Sequence, residues 1–426
     1  MKNKIIYKYL SKVLIGFSLL LIFPIIVSII YNENALVFLI PLCISLAIAI
    51  SLKLIKTENK NIYAKDGFII VSLSWIIISL ISALPFYLSG NASFIDSIFE
   101  SISGLTTTGA SIFSDVEKLE KSLLFWRSFT HFIGGMGVLT FVMAVIPLSK
   151  GDKSMYVLKA EMPGPTVAKL VPSIKKTLLY LYGIYIGLTI IEVIFLLLGN
   201  MSLFDSILIS MSTAGTGGFG ILNSSIATYS IYIKYVIAIF MFLFGVNFNI
   251  YFLILMKDIK TALKSEELKF YILMFICSVL FIILNTINLF GNLKDAILFN
   301  TFHVSSIMTS TGFSIGDINI YPTSCRMLLL CLMLISACAG STCGGFKISR
   351  LLICLKTIKR DFLKAIHPNS VHIIKYEGKK VEEETINATC TYMFLYAILM
   401  LIIMMIVSLD GFTLEQTVNA VFSTFS

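Results

Sequence analysis

Apolar residues fall into nine long runs, at roughly 11–31, 35–55, 68–88, 124–147, 178–199, 233–256, 270–290, 325–346 and 390–409. A helix needs about 20 apolar residues to cross the hydrocarbon core of a bilayer, so each run predicts one spanning helix. Two kinds of connection join them. One kind is rich in Lys and Arg. The other, from the third run onward, is about 35 residues long and carries a semi-apolar stretch that runs into Gly, Ser and Thr. A stretch of about 10–14 residues is too short to cross and predicts a re-entrant segment. Irregular backbone at membrane depth is tolerated where it is buried in protein or lines a water-filled cavity, so these connections read as pore loops.

The re-entrant stretches repeat. FIDSIFESISGLTTTGAS (94–111), LFDSILISMSTAGTGGFG (203–220) and FNTFHVSSIMTSTGFS (299–314) each read as a short amphipathic helix entering a Ser/Thr/Gly turn, and LEQTVNAVFSTFS opens a fourth copy that stops at Ser426. The register is set from two sides: a glycine stands 13 residues after an Asp in the first two copies (Asp96 to Gly109, Asp205 to Gly218), and 10 after a Phe in the first and third (Phe99 to Gly109, Phe302 to Gly312). Self-similarity at this level predicts one structural unit used four times. The fourth copy is expected to need about three more residues to reach its glycine, so the sequence reads as C-terminally incomplete. The predicted fold is an all-α polytopic membrane protein of pseudo-fourfold helix-pore-helix repeats. An N-terminal two-helix hairpin occupies 1–60, and pore repeats occupy 61–150, 151–260, 261–360 and 361–426.

The turns carry the candidate chemistry. A desolvated alkali cation needs several oxygens around it, and carbonyls from several copies of an irregular segment replace its hydration shell. Glycine permits the backbone angles that aim carbonyls inward, and Thr and Ser hydroxyls add acceptors without charge. No carboxylate lies in the three turns, which favours a monovalent cation over a divalent one. Run eight is interrupted by ACAGSTCGGFK (337–347), whose glycines break a helix in mid-membrane. Two readings stand for this break: a gate beneath the third turn, or a glycine-rich face for helix packing.

Charge supplies orientation. With the N-terminus inside, 27 of the 33 Lys and Arg lie on the inner side, and six (Lys118, Lys121, Arg127, Lys234, Lys294 and Arg326) lie outside. That bias fits a cytoplasmic N-terminus. It also disposes of nucleic-acid binding, which the net charge of +9 alone would allow. With 57% hydrophobic and 13% charged residues, composition excludes an ordinary soluble domain. The eight cysteines, mostly within or at the ends of apolar runs, read as small apolar residues without metal spacing. There is no G-x-S-x-G elbow or H-E-x-x-H, so no enzyme is predicted.

Several polar residues in or beside apolar runs weigh toward structure. Glu192 reads as partnered or interfacial, Asn247 and Asn249 as cross-helix hydrogen bonders, and His131 and His303 as hydrogen-bonded helix residues. Arg127 is expected to point away from the outer mouth or to pair with Asp115, Glu117 or Glu120. A coupled secondary transporter, importing potassium with sodium or protons, is the alternative function; that design expects interrupted helices in two inverted halves.

TTTGAS (106–111), STAGTGGFG (212–220), TSTGFS (309–314) and AGSTCGGFK (339–347), supported by WRSFTHFIGGMGVL (126–139) and FGVNFNIYF (244–252), resemble the Trk/Ktr/HKT superfamily of potassium transporters, most closely its TrkH-type subunits. The resemblance covers the chain from about residue 68 onward, and the first two runs match the extra hairpin of TrkH-type members. It implies potassium uptake across the cell membrane through one pore. The implied filter residues are Thr107, Thr108, Gly109, Thr216, Gly217, Gly218, Ser310, Thr311 and Gly312, with potassium as the transported ion and no cofactor in this chain. It also implies an intramembrane gating loop at Gly340, Ser341, Thr342, Gly344 and Gly345. The implied partners are a second copy and a cytoplasmic nucleotide-binding regulatory subunit of TrkA type, for which the basic stretch 347–380 is a docking surface. Gly217 departs from the Thr-Gly pattern of the other turns and removes a hydroxyl from the ring.

Overall fold

The computed structural model describes residues 4–55, 64–135, 137 and 174–426. Lys2, Lys56, Lys60 and the inner basic residues Lys150, Lys153, Lys159 and Lys169 lie outside the described residues, as does the fourth expected span beyond Gly135 apart from Gly137. The chain forms two compact units, Met1–Ile226 and Ala227–Ser426. Both are helical, as the pattern predicts; among the described residues the named strands form one hairpin, β1 (Lys375–Tyr376) and β2 (Lys379–Lys380).

In the first unit α1 (Lys4–Leu20) and α2 (Ile22–Ile30) together make the first span, and α3 (Leu36–Lys53) makes the second. Hydroxyls pin this hairpin where charge could not be buried: Ser18 bonds Ser45 at 2.9 Å and Ser11 donates to the Ala49 carbonyl at 2.7 Å. α4 (Ala64–Leu88) is the third span, α5 (Phe94–Leu105) is the first short helix of re-entrant length, and α6 (Lys121–Gly135) follows it. Trp126 of α6 is fully buried, receives the edges of Phe17 and Phe38 from the hairpin, and donates to the Ser82 carbonyl of α4 at 3.1 Å. α7 (Ile174–Leu198) and α8 (Leu203–Ala214) are the first helix and re-entrant helix of the second repeat.

The second unit begins with α9 (Ile231–Phe244) and α10 (Phe248–Leu255), which meet at 92°. This corrects the single span expected at 233–256. Gly245 ends α9, and a Cβ there would stand 2.3 Å from the Tyr271 hydroxyl oxygen. Asn247 then caps α10 by accepting from the Asn249 amide at 2.9 Å. After the short α11 (Ile259–Lys264) come the span α12 (Glu266–Thr286), the re-entrant α13 (Leu293–Met308) and α14 (Thr323–Leu334). The eighth expected span stops at Leu334, and chain without helix runs to Lys347. α15 (Ile348–Ile366) follows, so the inner stretch expected as a charged loop holds a helix and the β1–β2 hairpin. α16 (Glu383–Ser408) spans again, and α17 (Leu414–Phe425) is the fourth re-entrant helix. Six helices among the described residues are long and apolar enough to cross, or seven counting the bent pair.

All four re-entrant helices start alike. Ser93, Ser202, Asn292 and Thr413 accept from the backbone N–H of the residue three positions on (Asp96, Asp205, Asp295 and Gln416), at 3.3, 3.0, 2.8 and 3.3 Å. These are N-caps, which satisfy otherwise orphaned N–H groups. α5 and α8 have 12 residues and α13 has 16, about one extra turn. The extra turn is why the Asp-to-glycine spacing holds in only two of the three copies.

Candidate functional site: three helix-ending turns and a broken helix

Each described turn leaves its helix in the same way. The backbone N–H groups of Thr108, Gly217 and Thr311 reach back to the carbonyls of Ser103, Ser212 and Ser306 at 2.9, 3.1 and 2.8 Å. Those of Thr107, Thr216 and Ser310 bond Gly104, Thr213 and Ile307 at 3.2, 3.0 and 3.1 Å. This pair of bonds is a Schellman ending, whose left-handed residue is usually Gly or Asn. Here it is Thr107 (φ 57°), Thr216 (51°) and Ser310 (53°), and two residues later the backbone is left-handed again at Gly109 (75°), Gly218 (75°) and Gly312 (81°). A left-handed L-residue costs roughly 1–2 kcal/mol. The same strain recurs three times in one register. Backbone that alternates in hand turns successive carbonyls toward one side, the arrangement a bare cation requires. Each helix also brings the negative end of its dipole to its turn.

Hydroxyls brace two of the turns. Thr106 and Thr108 share a hydrogen bond at 2.9 Å across the left-handed Thr107, and Thr309 and Thr311 share one at 2.8 Å across Ser310. The second turn has glycine at both equivalent places, Gly215 and Gly217, so it departs from its neighbours by two side chains where the sequence comparison pointed to one. In the first unit the first and second turns abut: a Cβ on Gly109 would lie 1.7 Å from the Gly217 carbonyl oxygen.

Behind these two turns runs a buried charge network. Arg127 donates through Nε to Glu100 at 2.7 Å, and both side chains are almost wholly removed from solvent. The remaining guanidinium nitrogens donate to the Gly220 carbonyl at 3.1 Å and the Ser111 hydroxyl at 3.0 Å. Glu100 also accepts from Ser111 at 3.1 Å and the Ile112 amide at 2.9 Å. Arg127 lies 4.2 Å above the Phe219 ring. One ion pair thus fastens the chain leaving both turns. This corrects the expected partners of Arg127: Asp115 bonds Asn223 and Lys118, and Glu117 accepts the Asn223 amide. The Asn223 amide, then Lys118, hold the Asp115 carboxyl below its usual range. Glu100 was hidden in sequence; the available signal was a second carboxylate one turn after Asp96 in a semi-apolar segment and a lone guanidinium in an apolar run.

Glycines of the returning helices let them approach the turns. Cβ atoms on Gly134 and Gly135 would fall 2.1 Å from the Leu105 carbonyl oxygen and 2.6 Å from the Gly215 Cα, and one on Gly245 would fall 3.0 Å from the Thr309 methyl. In the third repeat the loop between α14 and α15 makes that approach itself, its Gly344 N–H donating to the Ser310 hydroxyl at 3.2 Å. Gly340 (φ 72°) and Gly345 (φ 69°) reverse the chain at either end. Ser341 closes on the Cys338 carbonyl at 2.6 Å, and Thr342 reaches the Phe244 carbonyl at 3.4 Å. Ile335 and Phe346 form a parallel bridge, and Lys347 donates back to the Cys343 carbonyl.

Glu267, unmarked in sequence, ties this loop down. The buried carboxylate accepts from the Ala339 amide within the loop at 2.7 Å, from the Ser349 amide just beyond it at 3.1 Å, and from Asn247 at 3.4 Å. Asn247, expected to bond across helices, does so here. Phe248 N–H donates to the Gly340 carbonyl at 3.0 Å, so the α9–α10 bend and the loop are joined. His303 is hydrogen-bonded as expected, to Tyr321 at 3.2 Å. Glu192 is fully buried, against the interfacial reading, and has the Thr213 hydroxyl as its neighbour.

Comparison with known proteins agrees with this architecture. The TrkH family model, described as a cation transport protein, matches residues 35–426. The TrkH potassium uptake protein of Salmonella typhimurium is 32% identical over 96% of this chain and 87% of its own length. The TrkG potassium uptake protein of Escherichia coli is 32% identical over 93% and 83%. The crystal structure of the potassium transporter TrkH from Vibrio parahaemolyticus superposes with a TM-score of 0.89 at 27% identity, covering 100% of this chain and 89% of that one.

Proposed function

Because the chain belongs to the TrkH family of cation transport proteins and serves in potassium uptake, we propose that its three glycine turns supply the oxygen ligands of the ion and that the 335–347 loop gates its passage. The alternating left-handed backbone, repeated at Thr107 and Gly109, Thr216 and Gly218, and Ser310 and Gly312, carries this reading. The ligands are the carbonyls of Thr107, Thr108, Gly109, Thr216, Gly217, Gly218, Ser310, Thr311 and Gly312. Gly340, Ser341, Thr342, Gly344 and Gly345 form the gate; the Gly344 bond to Ser310 supports it. Pore repeats at 61–150, 151–260, 261–360 and 361–426 follow the N-terminal hairpin at 1–60. In the multi-pass membrane protein the N-terminus faces the cytoplasm, on the strength of the inner Lys and Arg bias. The relatives' names speak of a Trk system, which supports a cytoplasmic nucleotide-binding regulatory subunit of TrkA type. A second copy of the chain completes the assembly, and no cofactor is needed.

Helix interruption no longer separates this reading from coupled secondary transport by number alone, since α9–α10 bends as well as α14–α15. The position of the breaks separates them. Both fall in the second helix of their repeat, as a feature copied with the repeat; inverted halves are not required.

Graded glycine substitutions test the filter. Gly109→Ala meets the Gly217 carbonyl and is expected to lose nearly all uptake. Gly312→Ala has open space and bears only the left-handed penalty of about 1–2 kcal/mol, so uptake persists with a lowered potassium-over-sodium ratio. Uptake of both ions, normalised to the amount of protein in the membrane, decides it. An unchanged ratio in Gly312→Ala together with normal uptake in Gly109→Ala refutes the assignment.

A further inference from the structure

The second turn lacks the threonine brace of the other two, yet it holds the same backbone. His131 of α6 stands where that brace would be. A Cβ on Gly217 would lie 2.6 Å from three atoms of the His131 ring, and one on Gly215 would lie 2.2 Å from the His131 carbonyl oxygen. The imidazole is fully buried and stacks on Phe219 with centroids 4.0 Å apart. Its Nδ1 accepts the Phe219 N–H at 3.4 Å, directly after Gly218. Arg127, one helical turn earlier, covers Phe219 too, so two side chains of α6 hold the residue that follows the second turn.

We propose that His131 is the positioning residue of the second turn: its ring fills the space a threonine side chain would take at 217, its carbonyl closes the space at 215, its Nδ1 anchors Phe219, and together they set this turn's preference for potassium over sodium. The other turns obtain rigidity from hydroxyls within the turn. This one obtains it from a neighbouring helix, and that explains why its two glycines are required there. A threonine at 217 and the histidine ring at 131 exclude each other.

The inference rests on reading the second turn as part of the filter, so Gly218→Ala is measured alongside. Potassium and sodium uptake are followed in cells lacking other potassium uptake systems, with membrane levels and detergent melting temperatures recorded. His131→Asn places an acceptor near the Nδ1 position and is expected to keep the potassium-over-sodium ratio. His131→Phe keeps bulk but offers no acceptor, and the ratio is expected to fall by about five- to tenfold, the factor of one lost hydrogen bond. Gly217→Thr alone is expected to lose uptake, and His131→Ala combined with Gly217→Thr to regain part of it by clearing the ring. An unchanged ratio in a folded His131→Phe overturns the proposal. If that variant does not fold, a double variant no better than Gly217→Thr overturns it instead. If Gly218→Ala also leaves selectivity intact, the filter reading of this turn fails and the role of His131 fails with it.

Discussion

Glu100→Ala is expected to destabilise the protein by about 3–5 kcal/mol and to abolish potassium uptake, because it strands the buried Arg127 without a counter-charge. The loss spreads beyond the ion pair. Ser111 and Ile112 after the first turn lose their acceptor, and Arg127 no longer has a fixed position from which to hold Gly220 and Phe219 after the second. Arg127→Met is expected to cost a similar amount for the converse reason. The double variant Glu100→Met with Arg127→Met separates stability from function. Apolar residues of similar volume often replace a buried ion pair at little or no cost, so its melting temperature is expected to recover most of the loss. Uptake is expected to stay low, since no apolar side chain bonds Ser111, Ile112 or Gly220. Detergent melting curves and potassium uptake on the same preparations give both answers. Additive losses in the double variant would show that the two residues are not energetically coupled.

The second large effect is expected at Glu267. Glu267→Ala removes the acceptor shared by the Ala339 and Ser349 amides, on either side of the 340–345 segment, and frees Asn247 beside the α9–α10 bend. Hydrogen bonds to a charged acceptor contribute about 1.5–3 kcal/mol each. If the loop holds the pore shut, losing even one bond of about 1.4 kcal/mol shifts the open-to-closed ratio tenfold. Potassium flux in reconstituted vesicles without any regulatory subunit is therefore expected to rise about tenfold or more in Glu267→Ala, and similarly on deleting 340–345. Glu267→Gln retains one carbonyl acceptor and is expected to fall between the wild-type chain and the alanine variant. Unchanged flux in both the alanine and deletion variants would remove the gate from the account and leave a packing loop.

The parts of this fold that show in sequence are those governed by local chemistry. The glycines at 109, 218 and 312 and the apolar length of the spans act close to where they are written. The hidden parts depend on residues far apart in the chain. Glu100 and Arg127 are 27 residues apart, and Glu267 and Ser349 are 82 apart. Each carboxylate looks ordinary until the fold supplies its partner. The bend at Gly245 escaped for another reason: hydropathy integrates over a window, and FGVNFNIYF stays apolar straight through a right-angled break. Only the shortage of room against Tyr271 reveals why glycine is needed there.

The Schellman endings have a consequence for how such a protein diversifies. The two Schellman bonds of each turn run back three and five residues into its own helix. Each helix-and-turn is therefore a portable cassette that carries its shape with it when duplicated. A copy can drift in side chains while its backbone stays in register. The second cassette records such drift: its two hydroxyls are gone, and the structural burden has passed to a histidine on the next helix.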